Sequence, residues 1–355
     1  LVKRNFYRLI KDYTMTRFQN ASPRPKQNFG TGFFFLAGAL LMAAAGSFWL
    51  AGCTPMLSKK TETAAGMTYK ARVDMRINGF RRTYRVHVPS GYRAERPLPL
   101  VVVVHGAFDT AKNMELVSGF SQLADRENFI VAYPNGMGIF GFLQHWNAGH
   151  CCGKAAADQV DDVGFLAAVI NDVSSRLAVD ARRIYMTGFS NGGMLTHRFA
   201  AEKGHLLAAA APMAAAAGGT PDADTPEWSP PAPQALMPLL SMHGTDDQHV
   251  PFAGGTSTNR KTERRYWPVA KTMAFWVRHN GALKKPAITF PHGKRVKVSS
   301  WSGSAGGADV VLYMIDGWGH QWPGRHFTAL LDPEDPLRNF DAAELIWHFF
   351  KTRQR

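Results

Sequence analysis

Gly188-Phe189-Ser190-Asn191-Gly192 follows the apolar run Arg183–Thr187 and precedes a helical pattern over Asn191–Lys203. A serine hydroxyl is a poor nucleophile unless a base takes its proton and a carboxylate orients that base. Small residues around the serine permit the sharp strand-to-helix turn that lifts it clear of a sheet. A serine at a helix N-terminus also has backbone N–H groups aimed at developing negative charge. Alone, the pentapeptide equally fits a turn without catalysis.

The partners follow in the order serine, acid, histidine, as such sites require on a strand-turn-helix scaffold. After the apolar run Leu236–Met242 comes His243-Gly244-Thr245-Asp246-Asp247-Gln248-His249-Val250-Pro251. After Val310–Ile315 comes Asp316-Gly317-Trp318-Gly319-His320-Gln321-Trp322-Pro323-Gly324. Either Asp246 or Asp247 is the candidate acid and His320 the base. His105 and His243, each before a glycine at a strand end, read as structural. His249, His292, His326 and His348 read as surface or core residues. No pair has metal-ligand spacing with an acid nearby, so no catalytic metal or other cofactor is expected.

The elements that must position these residues alternate. Thr68–Ile77 and Arg82–Pro89 flank Asn78-Gly79, a hairpin-turn signal. Leu98–Val104 is a continuous apolar run, as a strand buried on both faces requires. Further short runs at Phe129–Tyr133 and Leu207–Pro212 alternate with helical patterns at Asn113–Arg126, Asp162–Leu177, Val269–Asn280 and Asp341–Lys351. Alternation of this kind predicts a doubly wound α/β sheet whose chemistry sits beyond the C-terminal strand ends.

Together GFSNGG, HGTDDxxVPF, GWGHxWPG, Trp146–Gly153 (WNAGHCCG) and Asp161–Leu166 (DDVGFL) resemble the esterase/poly(3-hydroxybutyrate) depolymerase family, which includes feruloyl and acetylxylan esterases. The likeness runs from about Tyr69 to the C-terminus. It implies an α/β-hydrolase fold, a mostly parallel twisted sheet with helices on both faces. It also implies Ser190 as nucleophile, His320 as base and Asp247 as orienting acid, because the family's acid lies four residues after the histidine of its HGTxD motif. Asp246 then caps the turn. The backbone N–H groups of Asn191 and Ala107 would form the oxyanion hole.

Trp146, Trp318 and Trp322 flank these motifs, either as an aromatic wall for a phenolic or sugar-linked substrate or as packing under long loops. Cys151-Cys152 reads either as a vicinal disulfide beside the pocket or as two buried thiols. The cluster Arg260, Lys261, Arg264 and Arg265 reads as a solvated surface or as a lure for acidic polysaccharide.

The 355 residues are 45% hydrophobic and 19% charged, which excludes a disordered chain or a coiled coil, and three cysteines exclude a disulfide scaffold. The formal charge of +14 is uneven: the 41 basic and 27 acidic residues fall to 34 and 26 beyond residue 52, a net of +8. With no recognisable nucleic-acid motif, a nucleic-acid partner is not expected. Residues 1–52 carry a basic stretch and the apolar run Phe29–Leu50, and end at Leu50-Ala51-Gly52-Cys53. They resemble a lipoprotein signal peptide, which makes Cys53 the lipidation site and a membrane the partner through its lipid anchor. Residues 53–67 read as a flexible tether and 68–355 as one catalytic domain. The expected activity is an extracytoplasmic serine esterase acting on hydroxyalkanoate oligomers or on feruloyl or acetyl esters of polysaccharide. An acyltransferase using the same residues and a non-catalytic envelope module are the alternatives.

Overall fold

Among the described residues ten strands form the main sheet: β1 (Met67–Ile77), β2 (Phe80–Val88), β3 (Leu98–Val104), β4 (Ile130–Pro134), β5 (Val179–Phe189), β6 (Ala209–Met213), β7 (Leu239–Gly244), β8 (Ala287–Thr289), β9 (Val296–Trp301) and β10 (Val310–Ile315). Their spatial order is β1-β2-β4-β3-β5-β6-β7-β10-β9-β8. The six strands from β4 to β10 in that order run parallel, and the two at each edge are antiparallel. The computed structural model describes residues 54–58, 63–77, 80–139, 141–259 and 263–355. Residues 1–52, expected to be a signal peptide, and Cys53, Asn78-Gly79, Arg260 and Lys261 lie outside the described residues.

Helices cover both faces, and β3 shows why its sequence has no polar side. All seven of its residues are buried. Leu100, Val102 and Val104 pack with residues of α4 (Asp162–Arg176), α5 (Asn191–Lys203) and α6 (Val269–His279). Val101 and Val103 turn the other way, towards α1 (Ala111–Ser118), α2 (Phe120–Glu127) and α8 (Ala342–Phe350). Alternation along a strand sends successive side chains to opposite faces, so a central strand between two helical layers must be apolar throughout. The short helices α3 (Gly153–Ala157) and α7 (Arg325–Thr328) lie in the loops.

Two expectations change. The single helix anticipated over Asn113–Arg126 is two, α1 and α2, divided at Gly119, whose φ of 75° is left-handed and ends one helix while opening the next. The anticipated tether is docked where described: Lys70 N donates to Pro55 O at 2.6 Å, Leu57 N donates to Lys70 O at 2.8 Å, and Leu57 is buried. Strands β8 and β9 extend the sheet in a lysine-rich stretch that lacks an apolar run.

Among the described residues no helix is long and apolar enough to cross a membrane. The parallel core directs its C-terminal ends to one edge. Val104 pairs with Gly188, and Gly244 with Ile315, so the loops after β3, β5, β7 and β10 emerge together.

Candidate active site

Strand β5 ends at Phe189 and α5 starts at Asn191, leaving Ser190 alone at the turn with φ 55° and ψ −120°. A non-glycine residue there costs about 1–3 kcal/mol and must be held by its surroundings. Ser190 N donates to Met213 O at 2.9 Å and Met194 N donates to Ser190 O at 2.8 Å. The flanking glycines answer to close approach. A Cβ at Gly188 would sit 2.4 Å from Gly192 O, and one at Gly192 would sit 2.3 Å from His105 O.

His320 Nε2 lies 2.8 Å from Ser190 Oγ, and His320 Nδ1 lies 2.7 Å from Asp247 Oδ2. The other carboxylate oxygen, Asp247 Oδ1, accepts from His249 N at 2.9 Å and Val250 N at 2.8 Å. Burial pushes the Asp247 carboxyl up, but its bond to His320 and the charges of His320 and His243 outweigh that and hold it below the ordinary carboxylate range. Asp246 is exposed and its backbone N–H donates to Trp318 O at 3.1 Å. Of the two aspartates, Asp247 is the one in contact with the imidazole. His243 lies beneath, its Nε2 at 2.8 Å from Val250 O and 3.5 Å from Asp247 Oδ2, and burial keeps its pKa below the usual histidine value.

Behind the turn, a buried network fixes the Trp146–Gly153 loop. Asn191 Oδ1 accepts from Trp146 N, and Trp146 Nε1 donates to His105 O at 2.9 Å. Asp162 Oδ2 accepts from Asn147 N at 2.7 Å, while its Oδ1 accepts from Arg82 at 2.7 Å. Asp161 caps α4 through Gly164 N. The Asp-Asp pair thus divides its labour between a helix end and a loop. His105 Nδ1 lies 2.7 Å from Gly106 O and its Nε2 accepts from Gly136 N, and burial pushes its pKa down to about 4.

Ser190 and His320 open into a cleft of about 500 Å³. The turn after β3 contributes Ala107, Phe108 and Asp109. The loop after β7 contributes His249 and Val250, and a small antiparallel ribbon contributes Arg264 and Tyr266. Asn191 and Cys152 also line it. The sulfur atoms of Cys151 and Cys152 lie side by side at its wall.

The three tryptophans are not an aromatic wall. Trp146 is fully buried and lies roughly parallel to the Phe165 ring, 6.3 Å away. Trp322 is buried against Phe120 and Phe189, and Trp318 is buried with its Nε1 donating to Gln321 O. Each anchors its own loop from below, and the aromatic lining comes instead from Phe108, Phe189 and Tyr266. Sequence reasoning assigned none of these to the cleft, and it placed His249 elsewhere, although that ring is 4.8 Å from His320. Nothing in a sequence pattern separates such residues from ordinary loop positions.

Residues 82–220 match the family model described as Esterase PHB depolymerase. The chain is 30% identical over 268 residues to the putative esterase NocK of Nocardia uniformis subsp. tsuyamanensis, covering 71% of this chain and 73% of that one. The chain belongs to the esterase/PHB depolymerase family. Other members are similar over a smaller share of their length. Feruloyl esterase B of Piromyces equi and poly(3-hydroxyalkanoate) depolymerase C of Paucimonas lemoignei are each 31% identical to this family member. It spans 42% of either, and the matches cover 66% and 62% of its own length. Its fold is the α/β-hydrolase fold of an acetyl xylan esterase from Aspergillus awamori, with a TM-score of 0.50 at 17% identity, covering 72% of this chain and 94% of that one.

Proposed function

We propose that the protein is a serine esterase that cleaves carboxylic esters through an acyl-enzyme. The observation that carries this reading is the unbroken contact from Ser190 Oγ through His320 to Asp247, at 2.8 and 2.7 Å. Ser190 attacks the ester carbonyl while His320 Nε2 takes its proton. The Asp247 carboxylate keeps the remaining N–H on Nδ1 and stabilises the imidazolium that forms. The backbone N–H groups of Asn191 and Ala107, both in the cleft lining, receive the oxyanion. His320 then protonates the departing alcohol, and a water activated by the same nitrogen releases the acid.

The relatives named for feruloyl esters and polyhydroxyalkanoates support an acyl group of that kind, on polysaccharide or on a hydroxyalkanoate oligomer. The test is a panel of p-nitrophenyl acyl esters, methyl ferulate and hydroxybutyrate oligomers on wild type and Ser190→Ala. Turnover that survives in Ser190→Ala, or a fluorophosphonate probe that fails to label Ser190, removes the proposal. Export and lipidation at Cys53 belong to the same reading and rest on the run ending Leu50-Ala51-Gly52-Cys53. A Cys53→Ala variant that is still acylated would overturn that part.

A further inference from the structure

A second hollow, of about 580 Å³, shares no lining residue with the catalytic cleft. It lies between α6 and the strands β9 and β10. Its floor is apolar: Met273 and Leu312 are buried and Trp301 is half-buried. The sequence of α6 leaves the space above that floor open. Ala270, Ala274 and Arg278 recur every fourth residue and so share one exposed stripe of the helix. Two of the three end at Cβ, where a longer side chain would fill the gap.

The end of the hollow beyond α6 is held by buried and main-chain bonds. Asn280 Oδ1 accepts from Met237 N at 3.0 Å and its Nδ2 donates to Met237 O at 2.7 Å. Leu283 N donates to Ser302 O at 2.9 Å. A hollow formed in advance asks a ligand for little ordering of the protein. At this end two cations, Arg278 and Lys284, stand exposed. A cation in the last turn of a helix ordinarily answers the terminal carbonyls. Here main-chain donors already meet them: Trp276 O accepts from Asn280 N at 2.8 Å, Val277 O from Ala282 N at 3.0 Å and Arg278 O from Gly281 N at 3.3 Å. Among the described residues neither cation forms an ion pair, and no aspartate or glutamate lines the hollow.

An apolar floor with two cations at one rim is the complement of a single-chain amphiphile with an anionic head. The volume is that of a small-molecule site and too small for a macromolecular partner. We propose that the hollow between α6 and β9–β10 binds a medium-chain aliphatic carboxylate. Its chain lies over Met273, Trp301 and Leu312, and its head meets Arg278 and Lys284 in solvent, where a carboxylate loses little hydration. The site goes beyond the esterase reading and is tested without turnover.

Calorimetric titration of the full chain with octanoate, hexanoate, decanoate, octanol and octylammonium tests it, all below micelle-forming concentrations. One site per chain is expected, with affinity rising about fourfold per added methylene. Octanoate should bind roughly three- to tenfold more tightly than octanol, the modest margin that exposed charges supply, and octylammonium should bind most weakly. Ala274→Trp fills the hollow and should weaken octanoate roughly tenfold or more. Arg278→Ala with Lys284→Ala should bring octanoate down to the level of octanol. Circular dichroism and urea midpoints confirm that each variant is folded. Absence of octanoate binding in wild type overturns the proposal, as does binding that Ala274→Trp leaves intact. Octanol bound as tightly as octanoate, or a preference for octanoate that survives loss of both cations, overturns the assignment of the head. None of these outcomes touches the esterase reading, which stands or falls on Ser190.

Discussion

The side chain of Asn191 clamps the main chain of Trp146 from both sides: Oδ1 accepts from Trp146 N at 2.8 Å and Nδ2 donates to Trp146 O at 3.0 Å. The residue after the candidate nucleophile thus does two things at once. In the proposed mechanism its backbone N–H receives the oxyanion, and its side chain satisfies a buried loop that packs behind the cleft.

Asn191→Ala keeps the backbone donor and orphans Trp146 N, while Trp146 O still accepts from Cys152 N at 2.9 Å. Each buried unpaired group costs about 1–3 kcal/mol. We expect a lower urea midpoint and a fall in kcat of roughly tenfold or more on a p-nitrophenyl ester, as the turn loses its support. Asn191→Asp keeps an acceptor for Trp146 N and should fall between the two. Unchanged stability in Asn191→Ala would show that the clamp is redundant.

The two neighbouring aspartates should differ sharply. Asp247→Asn leaves the shape of the site but removes the charge beside Nδ1, and a loss in kcat of about 10³–10⁴ is expected. Asp246→Asn touches neither His320 nor the buried loop and should stay within about twofold. Steady-state kinetics on one ester decide it, and comparable losses in both variants would overturn the assignment of Asp247.

Three fully buried histidines tie stability to pH. Burial, the leading cause in each case, lowers His105 to about 4, and His150 and His197 to about 3. Folded, they remain neutral while the unfolded chain takes up protons below about pH 6.5. Their contribution is therefore full above 6.5 and declines as pH falls towards 4 and then 3. Each adds a slope of about 1.4 kcal/mol per pH unit in that window. Urea midpoints measured between pH 7 and 4 should drop accordingly, with a shallower fall in His197→Gln.

Much of this was legible because central strands and catalytic turns leave strong local signals. The run Leu98–Val104 had to be buried on both faces, Val310–Ile315 has the same bounds in sequence and structure, and the glycines around Ser190 mark close backbone approach. The break at Gly119 was invisible, since one glycine inside an amphipathic run is tolerated in most helices. The cleft lining was invisible for another reason. Whether Arg264 or Arg265 faces inward depends on the register of a two-residue ribbon strand, and whether Trp146 faces a substrate depends on the loop folded over it. Aromatic and charged residues near a motif indicate that a site needs walls, without saying which of them form the walls.

The Arg82–Asp162 pair gives the sharpest stability test. Both side chains are nearly inaccessible, 2.7 Å apart, and the guanidinium also lies 3.7 Å over the Phe165 ring. Burial raises the Asp162 carboxyl and lowers the Arg82 guanidinium, each against the pull of its partner. Desolvation of this kind makes a buried pair costly to break and of small net benefit when intact. Asp162→Asn leaves the arginine charge uncompensated, and a loss of about 3–5 kcal/mol is expected. Replacing both, as Arg82→Met with Asp162→Leu, removes the stranded charge and should recover part of that loss. Recovery stays incomplete because Asp162 Oδ2 also accepts from Asn147 N, which the double variant leaves unpaired. A double-mutant cycle in urea measures this directly: a double variant less stable than either single one would mean that the lost Asn147 bond, and not the stranded charge, dominates.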